Sequence, residues 1–518
     1  MNVSEFQTAP TNKRHPAYAA SMLSGTAPEW STGEVLLSSA YRSLLLGVSE
    51  SSVDLENIKR AHELMPGAVG GPELWSRLFS SRGGIRSPFR HGQYSPLSSQ
   101  QLMPLVPSVA RIAGVLGKRP RSRWNPSNLL QEIIGSALDR AAGEALIREL
   151  GAALAIADDD DVFARFTEAS LRSGLQGIQP EPGQDFPYLS LQLGEDDCRA
   201  FRAASNNRQL CPSERFCTDL RAVVGLKPSL TRRQWTVLVE AILRLGLGMH
   251  ALWICKANNI AWELALTAAS GMAPPSASEV EAKIWEQQHE SSMLLEIGAN
   301  AEPVIQRHIE RYAFARTGLN LLLCRLDDCG ASWPAGLRIG FSPSSGQQAP
   351  AAIAGFLAHV SANRLAIHAP DAGKWLREEV GKLFDDNEEL RALARCKAGY
   401  TKNLFEFARH SLGQIQAKDP AERCYDLAYL LAYSGERKPL PVLPGQDMLV
   451  MLVHVCCAAN PFIPVSLDDF RGHLGQYGLH VPAGELIDGR TGRDLEMLGL
   501  VVDSPDAAGG RLLVPPFS

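Results

Sequence analysis

From Trp235 to Cys255 the chain is small or apolar at every position except Glu240, Arg244 and His250. A run without a polar face predicts a helix buried on all sides, and the stretch Thr231 to Asn258 reads as the central one. Thr231, ahead of two arginines, is its candidate N-cap. Glu240 and Arg244 stand four apart and can pair on one face, while Gly246 and Gly248 are expected to loosen the helix. About 20 apolar residues can also cross a bilayer. A charged pair at mid-span would be costly in lipid, so the expectation is a core helix and no membrane partner.

Apolar positions at three- and four-residue spacing predict further helices at 34–47, 54–65, 72–79 and 125–157. In the last of these, glycines permit close contact or a break into two elements. DDDD at 158–161 reads as a turn with Asp caps, because consecutive carboxylates do not converge like the ligands of a cation loop. An extended segment is expected at Tyr188 to Leu193. Helices resume from Ala277 to Arg325 with a break near Gly298, then at 351–362, 372–384, 388–398, 401–412 and 420–432. The fold class is therefore mainly α, a multi-helical multidomain protein. Its expected parts are an arm at 1–30, a helical domain with a basic stretch at 31–172, a central helical domain at 173–330, a helical domain at 331–440 and a small α+β module at 441–518.

Composition is that of an ordinary globular chain, 45% hydrophobic and 21% charged with a net charge of −5. Such a balance carries no global nucleic-acid signal, so any binding has to come from local patches. The ten cysteines form no dense framework, several fall in apolar helical runs, and the first residues contain no apolar leader after a basic end. A reducing cytoplasm is the expected location.

One patch stands apart. Between Glu73 and Glu132 there is no acidic residue, while nine basic ones occur: Arg77, Arg82, Arg86, Arg90, Arg111, Lys118, Arg119, Arg121 and Arg123. Arg82, Arg86 and Arg90 lie in SRGGIRSPFRHG, a loop able to follow a phosphate backbone. Lys118, Arg119, Arg121 and Arg123 run into Trp124, whose ring offers a stacking face. The same field could instead face an acidic protein surface.

Catalytic signatures are weaker. Glu286 and His289 supply one Glu-x-x-His spacing but no second one stands near His308. Cys198, Cys211 and Cys217 lack the tight pairing and fourth ligand of a closed zinc site. Gly117-Lys118 and Gly373-Lys374 lack the rest of a phosphate-binding loop. No metal or cofactor is expected, and an enzyme would require Glu286, His289, His308 and Glu310 to gather in space.

The last 75 residues are the most regular. Gln446 to Ala459 is an apolar helix, Ser466-Leu-Asp-Asp469 is a capping box that opens a second helix ending at Gly478, and a third short helix lies around Arg490 to Leu498. Two extended segments follow, 500–502 and 511–514, around a Pro/Gly-rich turn. In this order, with GRTGRDLEMLGLVV followed by GGRLLVPPF, residues 445–516 resemble a winged helix-turn-helix domain. The resemblance implies a third helix in the major groove and a wing on the backbone. Arg490, Thr491 and Arg493 would then face the groove and Arg511 would sit on the wing. From Ser466 to Ser518, however, eight acids face four basics, a net −4 that suits protein docking as well as phosphate contact.

These features point to a non-catalytic DNA-associated subunit of a bacterial-type multiprotein machine for DNA handling or antiphage defence. The alternatives are a protein adaptor without nucleic acid, and an enzyme with an unrecognised helical site.

Overall fold

A computed structural model gives the fold and describes residues 126–174, 212–284, 293–331, 349–413, 428–432, 440–459, 464–504 and 510–517, with positions 36, 37, 40, 44, 106 and 107. The protein is predominantly helical, with a small β-containing module among its C-terminal helices. The expected arm, the helices at 54–65 and 72–79 and the extended segment at 188–193 lie outside the described residues.

The N-terminal part holds α1 (Pro126–Ala137), α2 (Arg140–Leu154) and α3 (Val162–Gly174). The break between the first two comes from Asp139, which leaves the helical backbone and accepts the Ala142 N–H at 2.9 Å. Asp161 caps α3 through the Ala164 N–H at 2.8 Å. Asp160 departs from the expected solvated turn: its side chain is only 3% exposed, 3.1 Å from Arg232 and 3.2 Å from Lys227. Burial pushes its carboxyl upward, but the Ala157 N–H and the charges of Arg232 and Lys227 outweigh that and hold it low.

After α4 (Pro212–Gly225) comes the central helix α5 (Arg232–Ala269), 38 residues or about 57 Å at 1.5 Å per residue. Its start is a full capping box between Thr231 and Gln234. Arg232 then donates to the carbonyls of Ala153 and Ala155 at 3.1 Å and to that of Leu154, so the end of α2 is tied to the start of α5. The helix overruns Asn258, whose buried side chain donates to the Ile254 carbonyl 2.9 Å away, because Ala261, Trp262, Ala265 and Leu266 carry its buried face onward to Ala269. Gly246 and Gly248 do not loosen α5. They are contact points, where a Cβ would overlap the Phe216 ring of α4 and the Leu412 side chain respectively. Glu240 pairs with Arg244 at 2.9 Å, and its carboxylate also accepts the N–H groups of Leu36 and Leu37, which are helical and buried.

Around α5 pack α4, α6 (Ala277–Ile284), α7 (Ala301–Asp328), α8 (Ala349–Ala362), α10 (Ala372–Asp386), α12 (Gly399–Leu412) and α13 (Gln446–Ala458); the short α9 (Arg364–Ile367) and α11 (Glu388–Ala394) pack on α10. The helix is long and apolar enough to cross a membrane, yet 94% of its most apolar window is buried inside the protein. The expected break near Gly298 is a turn with φ 86°, preceded by β1 (Leu295–Glu296). Leu431 is extended and bridges Gly413 and Val442, so the end of the helix expected at 420–432 is not helical; 420–427 lie outside the described residues.

The C-terminal module adds α14 (Leu467–Gln476), β2 (Leu479–His480), α15 (Ala483–Ile487), α16 (Arg490–Met497), β3 (Val501–Asp503) and β4 (Arg511–Leu513). Ser466 and Asp469 form the expected capping box, and Gly478 ends the helix region at φ 79°. β3 and β4 are antiparallel, with Leu512 also bridged to Ser466. β2 pairs in parallel with β1, 184 residues earlier in register, which stitches the module to the body. Among the described residues one hydrophobic cluster runs from Leu36 to Leu513.

Candidate functional site

Of the expected nucleic-acid contacts, Arg82, Arg86, Arg90, Arg111, Lys118, Arg119, Arg121, Arg123 and Trp124 lie outside the described residues. The other three are in the C-terminal module, and its own groups engage them. Arg490 opens α16 and lies 3.7 Å from Asp494. Arg493 donates to the Gly489 carbonyl at 3.3 Å. Arg511 is held by Glu496 at 2.6 Å, Asp503 at 3.3 Å and the Ile487 carbonyl at 3.1 Å. Thr491 points inward, 1% exposed, and donates its N–H and hydroxyl to Glu485, both at 2.9 Å. The Glu485 carboxylate therefore occupies the N-terminal end of α16, where the helix dipole would otherwise favour a phosphate.

The module meets the body at a buried polar joint. Asp219 of α4 is fully buried; Arg215 donates to its Oδ1 from Nε at 2.8 Å and again from a terminal nitrogen. Its Oδ2 takes His473 Nε2 at 2.9 Å and the Tyr477 hydroxyl at 2.8 Å. Burial pushes the Asp219 carboxyl up, but His473 and Arg215 overcome this and keep it below its ordinary value. The Tyr477 hydroxyl is raised by burial and by Asp219. With two hydrogen bonds to each carboxylate oxygen inside the core, the joint positions α14 against α4. A second buried pair, Ser213 Oγ and His250 Nδ1 at 2.8 Å, has nucleophile and base spacing. Burial lowers His250 to about 3, far from the range of an efficient general base at neutral pH.

The solvent-facing site is a cleft of about 850 Å³ between the second half of α5, α6, α7 and α10. Two contacts shape its walls. The Trp253 indole donates to the Ile284 carbonyl at 3.2 Å, fixing α6 against α5. Gly318 lets the Trp262 ring lie against α7, since a Cβ there would stand 2.6 Å from the ring. Cations line the cleft: buried Lys256 and exposed Lys283, Arg311 and Arg377. Among the described residues one carboxylate lines it, that of Glu263, 2.8 Å from Arg377.

Two lining groups register this environment. Burial lowers Lys256 to about 8. Burial also lowers His308 to about 4; a Leu294 backbone hydrogen bond opposes that, while the charges of Lys256, Arg311 and Arg307 add to it. The neutral imidazole is therefore mainly the result of its burial, with the neighbouring cations adding to it. Phe314, 36% exposed, also lines the cleft and is pinned by a stack on Phe384 with centroids 4.0 Å apart. Asn259 also lines the cleft, and its Oδ1 is shielded from solvent with no hydrogen-bond partner among the described residues.

No single motif marks this cleft, because four elements build it. The available signals were Lys256 and Asn259 breaking an apolar helix at i and i+3, and the same spacing of His308 and Arg311 on α7. Of the residues an enzyme would have needed, Glu286 and His289 lie outside the described residues. His308 lines the cleft, whereas Glu310 accepts from Gln306 at 2.8 Å. Among the described residues no cluster of three or more His, Cys, Asp or Glu side chains has a metal-holding arrangement. Cys217, Cys255, Cys324, Cys456 and Cys457 are buried free thiols.

No protein-family model matches the chain. No curated protein and no solved structure matches it either.

Proposed function

We propose that this chain is a non-catalytic, nucleic-acid-associated subunit of a larger DNA-handling or antiviral-defence assembly. The observation that carries the reading is the cleft, where Lys256, Lys283 and Arg311 line a pocket with Trp262 and Phe314, and Arg377 engages Glu263, the one lining carboxylate among the described residues. Phosphates are attracted to such a field without any sequence code, and exposed rings accept bases. The acid-free stretch 74–131 supplies further cations along the chain. Anisotropy titrations of labelled single-stranded and duplex DNA across salt concentration test it. Affinity is expected to fall steeply with salt and to weaken on Lys283→Glu with Arg311→Glu, and on joint Arg119→Glu, Arg121→Glu and Arg123→Glu. Absence of salt-dependent binding at low ionic strength would refute it.

A second reading, a protein adaptor, is favoured by the C-terminal module. There Glu485 fills the α16 N-terminus, Arg511 is neutralised by two acids, and Ile487 and Met497 are exposed. A module of this character suits a protein surface better than a phosphate backbone. It predicts a stoichiometric co-purifying subunit that is lost on Met497→Asp, with no salt-sensitive DNA binding.

A further inference from the structure

We infer that the cleft between α5, α6, α7 and α10 holds one unstacked nucleotide, its phosphate among Lys256, Lys283 and Arg311 and its base on the Phe314 ring. This rests on the nucleic-acid reading and narrows it to a ligand. The cleft volume of about 850 Å³ falls in the range of about 300–1,000 Å³ typical of small-molecule sites, enough for a nucleotide and its water. A base can pack on Phe314 only with a face that duplex stacking leaves free, so an unpaired, unstacked nucleotide is the form that fits. Phe314 is already ordered by its stack on Phe384 and keeps exposed surface within the cleft, so little rotamer freedom is lost when a base packs there. Trp262, backed by Gly318, closes the apolar side. The three cations come from three separate helices, α5, α6 and α7, so they can approach a phosphate from several directions.

The same chemistry is carried by a free nucleoside monophosphate and by an unpaired nucleotide in a strand, and the test separates the two sources. The full chain is titrated at several salt concentrations with AMP, with a single-stranded 12-mer carrying 2-aminopurine, and with the same 12-mer annealed to its complement. The wild type is compared with Phe314→Ala, Phe314→Trp and Arg311→Glu, each checked for an unchanged circular dichroism melt.

The single strand is expected to bind at least about tenfold more tightly than the duplex, with 2-aminopurine emission quenched by the ring. Phe314→Ala should weaken strand binding by roughly tenfold and abolish the quench, Phe314→Trp should restore both, and Arg311→Glu should reduce the salt slope. Competition by AMP at comparable affinity supports the inference with a free nucleotide as the source; its failure beside a strong strand signal supports it with the strand as the source. Equal, salt-sensitive binding of strand and duplex with no effect of Phe314→Ala overturns the inference and leaves the nucleic-acid reading standing. No binding of any probe overturns both.

Discussion

Asp219→Ala is the substitution that most directly probes how the C-terminal module is held. The carboxylate accepts from Arg215 at 2.8 Å, His473 at 2.9 Å and Tyr477 at 2.8 Å, and all of these groups are buried. Removing it leaves the Arg215 guanidinium in the core without its carboxylate, a loss of about 3–5 kcal/mol for a buried pair. Against a total stability of about 5–15 kcal/mol this is a large fraction. Tyr477→Phe removes one hydrogen bond to a charged acceptor, about 1.5–3 kcal/mol, and keeps the ring packed. The order expected from urea denaturation is therefore wild type, then Tyr477→Phe, then Asp219→Ala. Limited proteolysis of Asp219→Ala should cut between α13 and α14 first, because the joint fixes α14 on α4.

The acid limb gives an independent check. Asp219 has a lowered pKa in the fold, so its contribution is fully present above the unfolded value near 3.8 and is lost as pH falls below that toward the folded value. Wild type should lose stability more steeply than Asp219→Ala in that window. An Asp219→Ala protein within about 1 kcal/mol of wild type, with the same acid limb, would refute the reasoning.

Other expectations follow from single contacts. Gly246→Ala places a methyl group in the Phe216 ring and should cost about 1–3 kcal/mol in urea, partly recovered by Phe216→Leu. Lys256, lowered to about 8 by burial, carries its charge below that pH, so monophosphate affinity measured by calorimetry should fall as pH rises through about 8, and Lys256→Met should flatten the profile. Arg511→Ala should loosen the hairpin by no more than about 1 kcal/mol and leave DNA affinity unchanged, because its partners are the module's own acids. Asn259→Leu removes a buried acceptor without a partner among the described residues, and its thermal midpoint should equal or exceed that of wild type.

What was legible in the sequence was whatever a few neighbouring residues decide. The Thr231 and Ser466 capping boxes are read from spacings of three, and the turn at Gly298 from the one residue type that adopts a positive φ without strain. The buried character of α5 followed from its missing polar face. Features set by partners distant in sequence were not legible. Nothing near Leu479 signals Leu295 as its strand partner, and Leu431 is extended because Gly413 and Val442 receive it, against a helical local pattern. Gly246 and Gly248 read as weak points in isolation and prove to be close-packing positions once Phe216 and Leu412 are beside them. Thr491 sits where a groove contact was expected, but Glu485 turns it inward. The cleft combines Lys256, Lys283 and Arg311 from three separate helices, so no local window contains it.

The most direct measurement of the central claim is photo-crosslinking of the full chain to a single strand carrying 5-iodouracil, with the joined peptides identified by mass spectrometry. Adducts are expected on the α7 segment containing His308 and Phe314 and on the α5 segment containing Trp262, suppressed by excess salt and by Arg311→Glu. Crosslinks confined to α16 and the β3–β4 hairpin, with those segments unlabelled, would contradict it.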